Sequence, residues 1–166
     1  QHGNPIGADF RRPELNGDFI LAMKHTALYT SVLPLLVKFQ HFLFVAVIRH
    51  PLDTILSCLS LPQSPITPEA MQGTSRYWQE AGNIINSNST LPERLVQLYE
   101  MHLKRYHELG SAISVVKYED LIQDPMIASR LFGVNTLSTA APMIKQGPRV
   151  HRAEEADKIR ELLRKY

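Results

Sequence analysis

Phe42-Leu43-Phe44-Val45-Ala46-Val47-Ile48-Arg49-His50-Pro51-Leu52-Asp53-Thr54-Ile55-Leu56-Ser57 decides how the chain is read. Seven apolar residues run without a break from Phe42 to Ile48. They are too few for an isolated helix and rich in β-branched and aromatic types, so they predict a strand buried on both faces. Arg49 closes the strand. His50-Pro51 makes a turn, and Pro51 suits the first position of a helix because its missing N–H would be unpaired there. Asp53 places a negative charge near that N-terminus. Ile55, Leu56 and Leu59 then share an apolar helix face. A strand, a short turn and a helix N-terminus form an anion site of backbone amides and positive dipole. Arg49 adds a planar cationic fork at the strand tip, and Ser57, about two turns into the helix, adds a hydroxyl. Ligands of open α/β sheets gather at such carboxyl ends. The expectation is that Arg49 and Ser57 hold a phosphate.

Working outward, Phe19–Met23 is a short strand candidate ending at Lys24-His25-Thr26, after a loop or arm over residues 1–18. A helix is expected over 27–39, interrupted in principle by Pro34, since an interior proline costs roughly 3 kcal/mol. The β-α-β-α order predicts a parallel sheet. Pro62, Pro65 and Pro68 mark a loop, after which Thr67 caps a helix to about Ile85 that carries Tyr77 and Trp78. Thr90-Leu91-Pro92-Glu93 has the form of a capping box and opens a long helix that stops at Gly110. Leu95, Leu98, His102 and Tyr106 form its apolar stripe, with Tyr99 and Leu103 beside them. Ala112–Val116 reads as another buried strand. Asp124-Pro125 caps a short helix that stops at Gly133, residues 134–150 read as a loop, and a charged helix spans about 153–165. The fold class is therefore α/β: one domain, a three-layer sandwich around a mostly parallel sheet, with strands near 19–23, 43–48 and 112–117.

Composition narrows the function classes. The chain has 166 residues, a formal net charge of +2 and 20% charged residues. That charge is too small to imply nucleic acid or a membrane surface as partner. No stretch reaches the length of a membrane span. The single cysteine, Cys58, excludes an intrachain disulfide framework and a cysteine-rich metal site, and its place beside an apolar helix face predicts a buried thiol. The compartment is left open, with the cytoplasm slightly favoured.

The segment Val47-Ile48-Arg49-His50-Pro51 through Ser57 resembles the 3′-phosphate-binding segment of the sulfotransferase family, in which an apolar strand ends in Arg and Ser follows at this distance. A second segment, Val115-Val116-Lys117-Tyr118-Glu119-Asp120-Leu121-Ile122-Gln123-Asp124-Pro125, resembles the family's strand running into Tyr-Glu-Asp-Leu. Both occur in the family's order with two helices between them. The resemblance covers about residues 19–166. It implies a P-loop-NTPase-like sulfotransferase fold, here lacking its first β-loop-α unit, because no Gly-rich loop for the 5′-phosphosulfate precedes Lys24.

The same resemblance implies sulfuryl transfer from 3′-phosphoadenosine 5′-phosphosulfate to an acceptor hydroxyl or amine, with no metal. The acceptor would be a small molecule, a glycan or a lipid. Arg49 and Ser57 are the implied 3′-phosphate ligands, and Tyr118 the implied adenine contact. His25 is the implied general base and Lys24 the electrostatic helper. Imidazole titrates near neutrality, as a general base requires. In the family a residue usually separates the two; here they are adjacent. Met143-Ile144-Lys145-Gln146-Gly147 resembles the family's late loop, which makes Lys145 and Gly147 further cofactor contacts. The alternative is a non-catalytic, sulfotransferase-like nucleotide-binding module.

Overall fold

The computed structural model of the chain describes residue 23 and residues 26–39, 41–60, 71–124, 126–133 and 153–165. The fold is α/β: mostly helical, with a small two-stranded parallel sheet among the described residues. Strand β1 is Val45–Ile48 and β2 is Ser114–Lys117. They pair in parallel, with Val45 opposite Ser114 and Ile48 opposite Lys117. Helix α1 spans Thr26–Leu36, α2 Pro51–Ser60, α3 Gln79–Ile85, α4 Leu91–Leu109, α5 Tyr118–Gln123, α6 Met126–Phe132 and α7 Ala153–Leu163. Of the strand expected over 19–23, residues 19–22 lie outside the described residues and Met23 is not in a strand; the loop expected over 134–150 and the start of the helix expected at Thr67 also lie outside them.

Local chemistry accounts for most element ends. Pro51 opens α2, whose first internal hydrogen bond runs from the Thr54 N–H to the His50 carbonyl at 3.0 Å. Glu93 caps α4 by accepting from the Thr90 N–H at 2.7 Å and from its hydroxyl at 2.8 Å. Asp124 caps α6 by accepting from the Met126 N–H at 3.0 Å, and Arg130 holds its other oxygen at 2.6 Å. Gly110 and Gly133 end α4 and α6 with φ of 50° and 64°, where a side chain would be strained. Pro34 lies inside α1. It removes the amide that would bond the Thr30 carbonyl, and burial of Ala27 and Leu33 offsets that loss.

Three expectations are corrected. The buried strand expected from Ala112 to Val116 begins only at Ser114, after a 3-10 turn at Gly110–Ala112, and Val115 is 46% exposed. The helix predicted to run from Thr67 to Ile85 is not continuous: a 3-10 turn at Ser75–Tyr77 precedes α3, and neither Tyr77 nor Trp78 belongs to an α-helix. The hydroxyls of Thr74 and Ser75 donate to the carbonyls of Met71 and Gln72 at 2.8 and 2.7 Å, and the Thr74 N–H also donates to the Met71 carbonyl at 2.9 Å, the three-residue spacing of a turn. The strand predicted over 42–48 is also shorter and is not buried on both faces. Val47 is 51% exposed and Phe42 58%. Ala46 packs with Leu33 and Ile113 on one side, while β1 pairs on one edge alone among the described residues. Full burial of a parallel strand needs helices on both faces.

Helix α4 is the spine. Leu95 and Val96 join Ile55, Leu56 and Cys58 of α2 and Ala156 and Ile159 of α7 in one core cluster. Leu98 and Met101 join Ala27, Met71, Trp78 and Ala81 in a second. Cys58 is buried, as the sequence predicts.

His102 sits beside the second cluster, its ring 5.2 Å from that of Trp78 and 6.4 Å from Tyr106. Its Nδ1 meets the Leu98 carbonyl at 2.7 Å, and Nε2 has no protein partner. Burial holds its pKa below the ordinary value; the Leu98 carbonyl opposes this shift and the Arg105 charge reinforces it. The unfolded chain therefore takes up this proton at a higher pH than the folded one. Folding stability is expected to fall as pH drops below about 6.5, the unfolded histidine value, until the lower folded pKa is passed. Urea melts of wild type and His102→Phe between pH 7.5 and 5 check this. The stability of wild type minus that of the variant should fall as pH falls, and a constant difference would exclude His102 as the source.

Candidate functional site at the strand tips

The two segments singled out by sequence meet at the carboxyl ends of β1 and β2. Parallel pairing of Ile48 with Lys117 puts the next residues, Arg49 and Tyr118, side by side. The Arg49 guanidinium lies over the Tyr118 ring, 5.4 Å from its centroid, within cation–π range. It also lies 3.5 Å from the Asp53 carboxylate, one helical turn into α2. Arg49 is 28% exposed and Asp53 49%, so this pair faces water and is weak. Arg49 is thus neither sealed in the core nor neutralised by a buried acid.

Ser57 lies half-buried on α2. It is four residues beyond Asp53, hence one turn further along the helix face that carries the Arg49 contact, and helical side chains lean toward the N-terminus. Lys24, His25, Lys145 and Gly147 lie outside the described residues.

The α2 N-terminus is less open than the sequence implies. The Glu119 carboxylate, from the second segment, accepts from the His50 N–H at 2.9 Å. His50 is the N-cap, and Asp53 stands where a capping-box acid would reach back to that same amide. Glu119 takes the amide, and Asp53 contacts Arg49. Pro51 has no N–H, so the amides left for an incoming anion are those of Leu52 and Asp53. The His50 amide holds Glu119 below the usual carboxylate range against slight burial, helped by its own amide and by the Arg49 and His50 charges.

Tyr99 is the site residue that sequence reasoning missed. Its hydroxyl donates to the Arg49 carbonyl at 2.6 Å, from α4. Burial pushes its pKa up, with smaller contributions from Glu119 and Tyr106, so it keeps the proton that it donates. It belongs to no motif; its place beside the apolar stripe of α4 was the one available signal.

Arg49 and Tyr118 also line a cavity of about 560 Å³ together with Tyr29, Leu33, Phe44 and Ala46. One cationic side chain in an otherwise mostly apolar and aromatic lining suits a ligand with an anionic group and a flat or apolar body. Among the described residues no group of three His, Cys, Asp or Glu side chains is placed to hold a metal ion. No described helix is long and apolar enough to cross a membrane. No protein-family model matches the sequence, no curated protein matches it, and no solved structure matches its fold.

Proposed function

We propose that the chain is the 3′-phosphate- and adenine-binding part of a sulfotransferase that uses 3′-phosphoadenosine 5′-phosphosulfate. The observation that carries this reading is the Arg49 guanidinium set against the Tyr118 ring at adjoining strand tips, with Asp53 as a solvent-facing partner that an incoming anion can replace. The chemistry fits the ligand: an arginine fork matches two phosphate oxygens, and an aromatic ring matches a purine. Ser57 would add a hydroxyl from α2.

The co-substrate supplies an activated sulfuryl group bonded to its 5′-phosphate. An acceptor oxygen or nitrogen forms the new bond to sulfur as the bond to the phosphate oxygen breaks, which releases adenosine 3′,5′-bisphosphate. The acceptor's proton passes to a base, for which His25 is the candidate, and Lys24 steadies the charge on the sulfuryl oxygens. The protein's part is to position groups and stabilise charge that develops in the transition state. This reading takes the fold to be P-loop-NTPase-like.

Calorimetric titration with adenosine 3′,5′-bisphosphate, in competition with ATP, tests the reading. The bisphosphate is expected to bind and to resist displacement by ATP, which has no 3′-phosphate. Displacement at equal concentration would favour a general nucleotide site, and no binding of either would reject the proposal. Turnover with labelled co-substrate separates an enzyme from a binding module that keeps the pocket.

A further inference from the structure

The two hydrogen bonds that reach the strand tip from elsewhere in the fold end on one peptide unit. The Arg49 carbonyl accepts from Tyr99 on α4 at 2.6 Å, and the His50 N–H donates to Glu119 at the start of α5 at 2.9 Å. A peptide unit is planar, and its carbonyl and N–H point from opposite edges. Fixing both edges fixes the rotation of the plane. That rotation sets ψ of Arg49 and φ of His50, the dihedrals at which strand becomes helix. The Thr54 hydroxyl also reaches the Arg49 carbonyl, but at 3.5 Å, the margin of a hydrogen bond.

We propose that Tyr99 and Glu119 are positioning residues that clamp the Arg49–His50 peptide and so aim the Arg49 guanidinium along the face of Tyr118. The geometry stands by itself; the phosphate as the ligand served rests on the function proposed above. Three parts of the fold contribute to the arrangement. β1 carries the cation, α4 holds its carbonyl, and the β2–α5 junction supplies both the carboxylate that fixes the next amide and the ring beneath the guanidinium. Neither clamp residue need touch the ligand. The clamp is suited to the pH range in which a phosphate is charged: Glu119 stays ionised and Tyr99 stays protonated, by the shifts described above.

The test has a ligand-free arm and a binding arm. In the first, the Arg49 side-chain resonances are recorded for wild type, Tyr99→Phe, Glu119→Ala and Glu119→Gln, with circular dichroism to confirm that each is folded. Tyr99→Phe and Glu119→Ala should reduce the ring-current shift that Tyr118 imposes on Arg49. Glu119→Gln, whose amide oxygen still accepts from the His50 N–H, should restore most of it. In the second arm, Tyr99→Phe should weaken adenosine 3′,5′-bisphosphate and inorganic phosphate about fivefold, the worth of one hydrogen bond, and leave adenosine unchanged.

Unchanged Arg49 shifts in both Tyr99→Phe and Glu119→Ala would overturn the clamp, and so would equal losses for bisphosphate and adenosine. If wild type binds no bisphosphate, the nucleotide reading fails, and the ring-current arm alone decides on the clamp.

Discussion

Replacing Arg49 with alanine is expected to lower affinity for adenosine 3′,5′-bisphosphate about 100-fold. Truncating one partner of a hydrogen-bonded charge pair costs on the order of 3 kcal/mol, and each 1.4 kcal/mol is roughly tenfold in affinity. Adenosine, which lacks the phosphates, should lose little, because in the proposed binding mode its purine would meet the Tyr118 ring rather than the guanidinium. Stability should hardly change. The ion pair that is lost, Arg49 with Asp53, is partly exposed and worth about 0.5 kcal/mol at most sites of its kind. The loss of binding is therefore distinguishable from unfolding by one thermal melt. Arg49→Lys is the sharper variant. It keeps the charge but not the fork, so it should recover part of the affinity and not all of it. Isothermal calorimetry of the three proteins with bisphosphate and adenosine gives the comparison. Equal losses for both ligands would remove Arg49 from the phosphate and leave it as a packing partner of Tyr118.

That experiment also bears on how the two segments came to be read as one site. Each was legible alone: an apolar strand ending in Arg, then Pro at the first helical position, and a strand ending in Lys-Tyr-Glu-Asp. Parallel pairing then places the residue after Ile48 beside the residue after Lys117. The Arg49–Tyr118 contact follows from that register; the sequence predicted parallel strands, and the structure supplies their adjacency and register. Helix ends were legible for the same local reason. Thr90 with Glu93, Asp124, Gly110 and Gly133 act within a few residues of themselves, so nearby sequence carries their whole meaning.

What was not legible depends on distance or on competition. Glu119 reaches His50 across 69 residues. In sequence it is a capping acid for its own helix, and nothing marks it as the cap of another. Tyr99 sits 50 residues from the carbonyl that it bonds, and on a helical wheel it is one more aromatic near a buried stripe. The break before α3 is accompanied by two hydroxyls that bond the carbonyls three residues back, a feature that apolar periodicity does not register. Burial of β1 was overestimated because a run of apolar residues reports what a strand tolerates. The covering of its faces is decided by other parts of the chain. Val47 and Val115, both about half exposed, show that difference on the two strands.

The second large effect is expected in the core beneath the site. Leu95 has 0% exposure and stands where α4 meets α2 and α7, against Ile55, Leu56 and Ile159. Leu95→Ala removes methyl and methylene groups from a place that three helices close around. Substitutions of this kind cost about 3 kcal/mol, the transfer free energy together with the cavity left behind. For a slope near 2 kcal/mol per molar urea, the unfolding midpoint should move down by roughly 1.5 M. Leu91 provides the control. It lies on the same helix one turn earlier, is 38% exposed, and belongs to none of the buried clusters. Leu91→Ala should cost about 0.5 kcal/mol or less. Both changes keep helix propensity, since alanine is the better helix former, so the contrast isolates packing. The consequence reaches the strand tip. Ile55 and Leu56, which pack in one cluster with Leu95, follow Asp53, the α2 residue paired with Arg49, by two and three residues, so looser packing there would loosen the helix start that completes the proposed anion site. Leu95→Ala should then weaken bisphosphate binding several-fold under conditions where it is still folded, and Leu91→Ala should not. Equal urea midpoints for the two variants would mean that α2 is held by something other than this cluster.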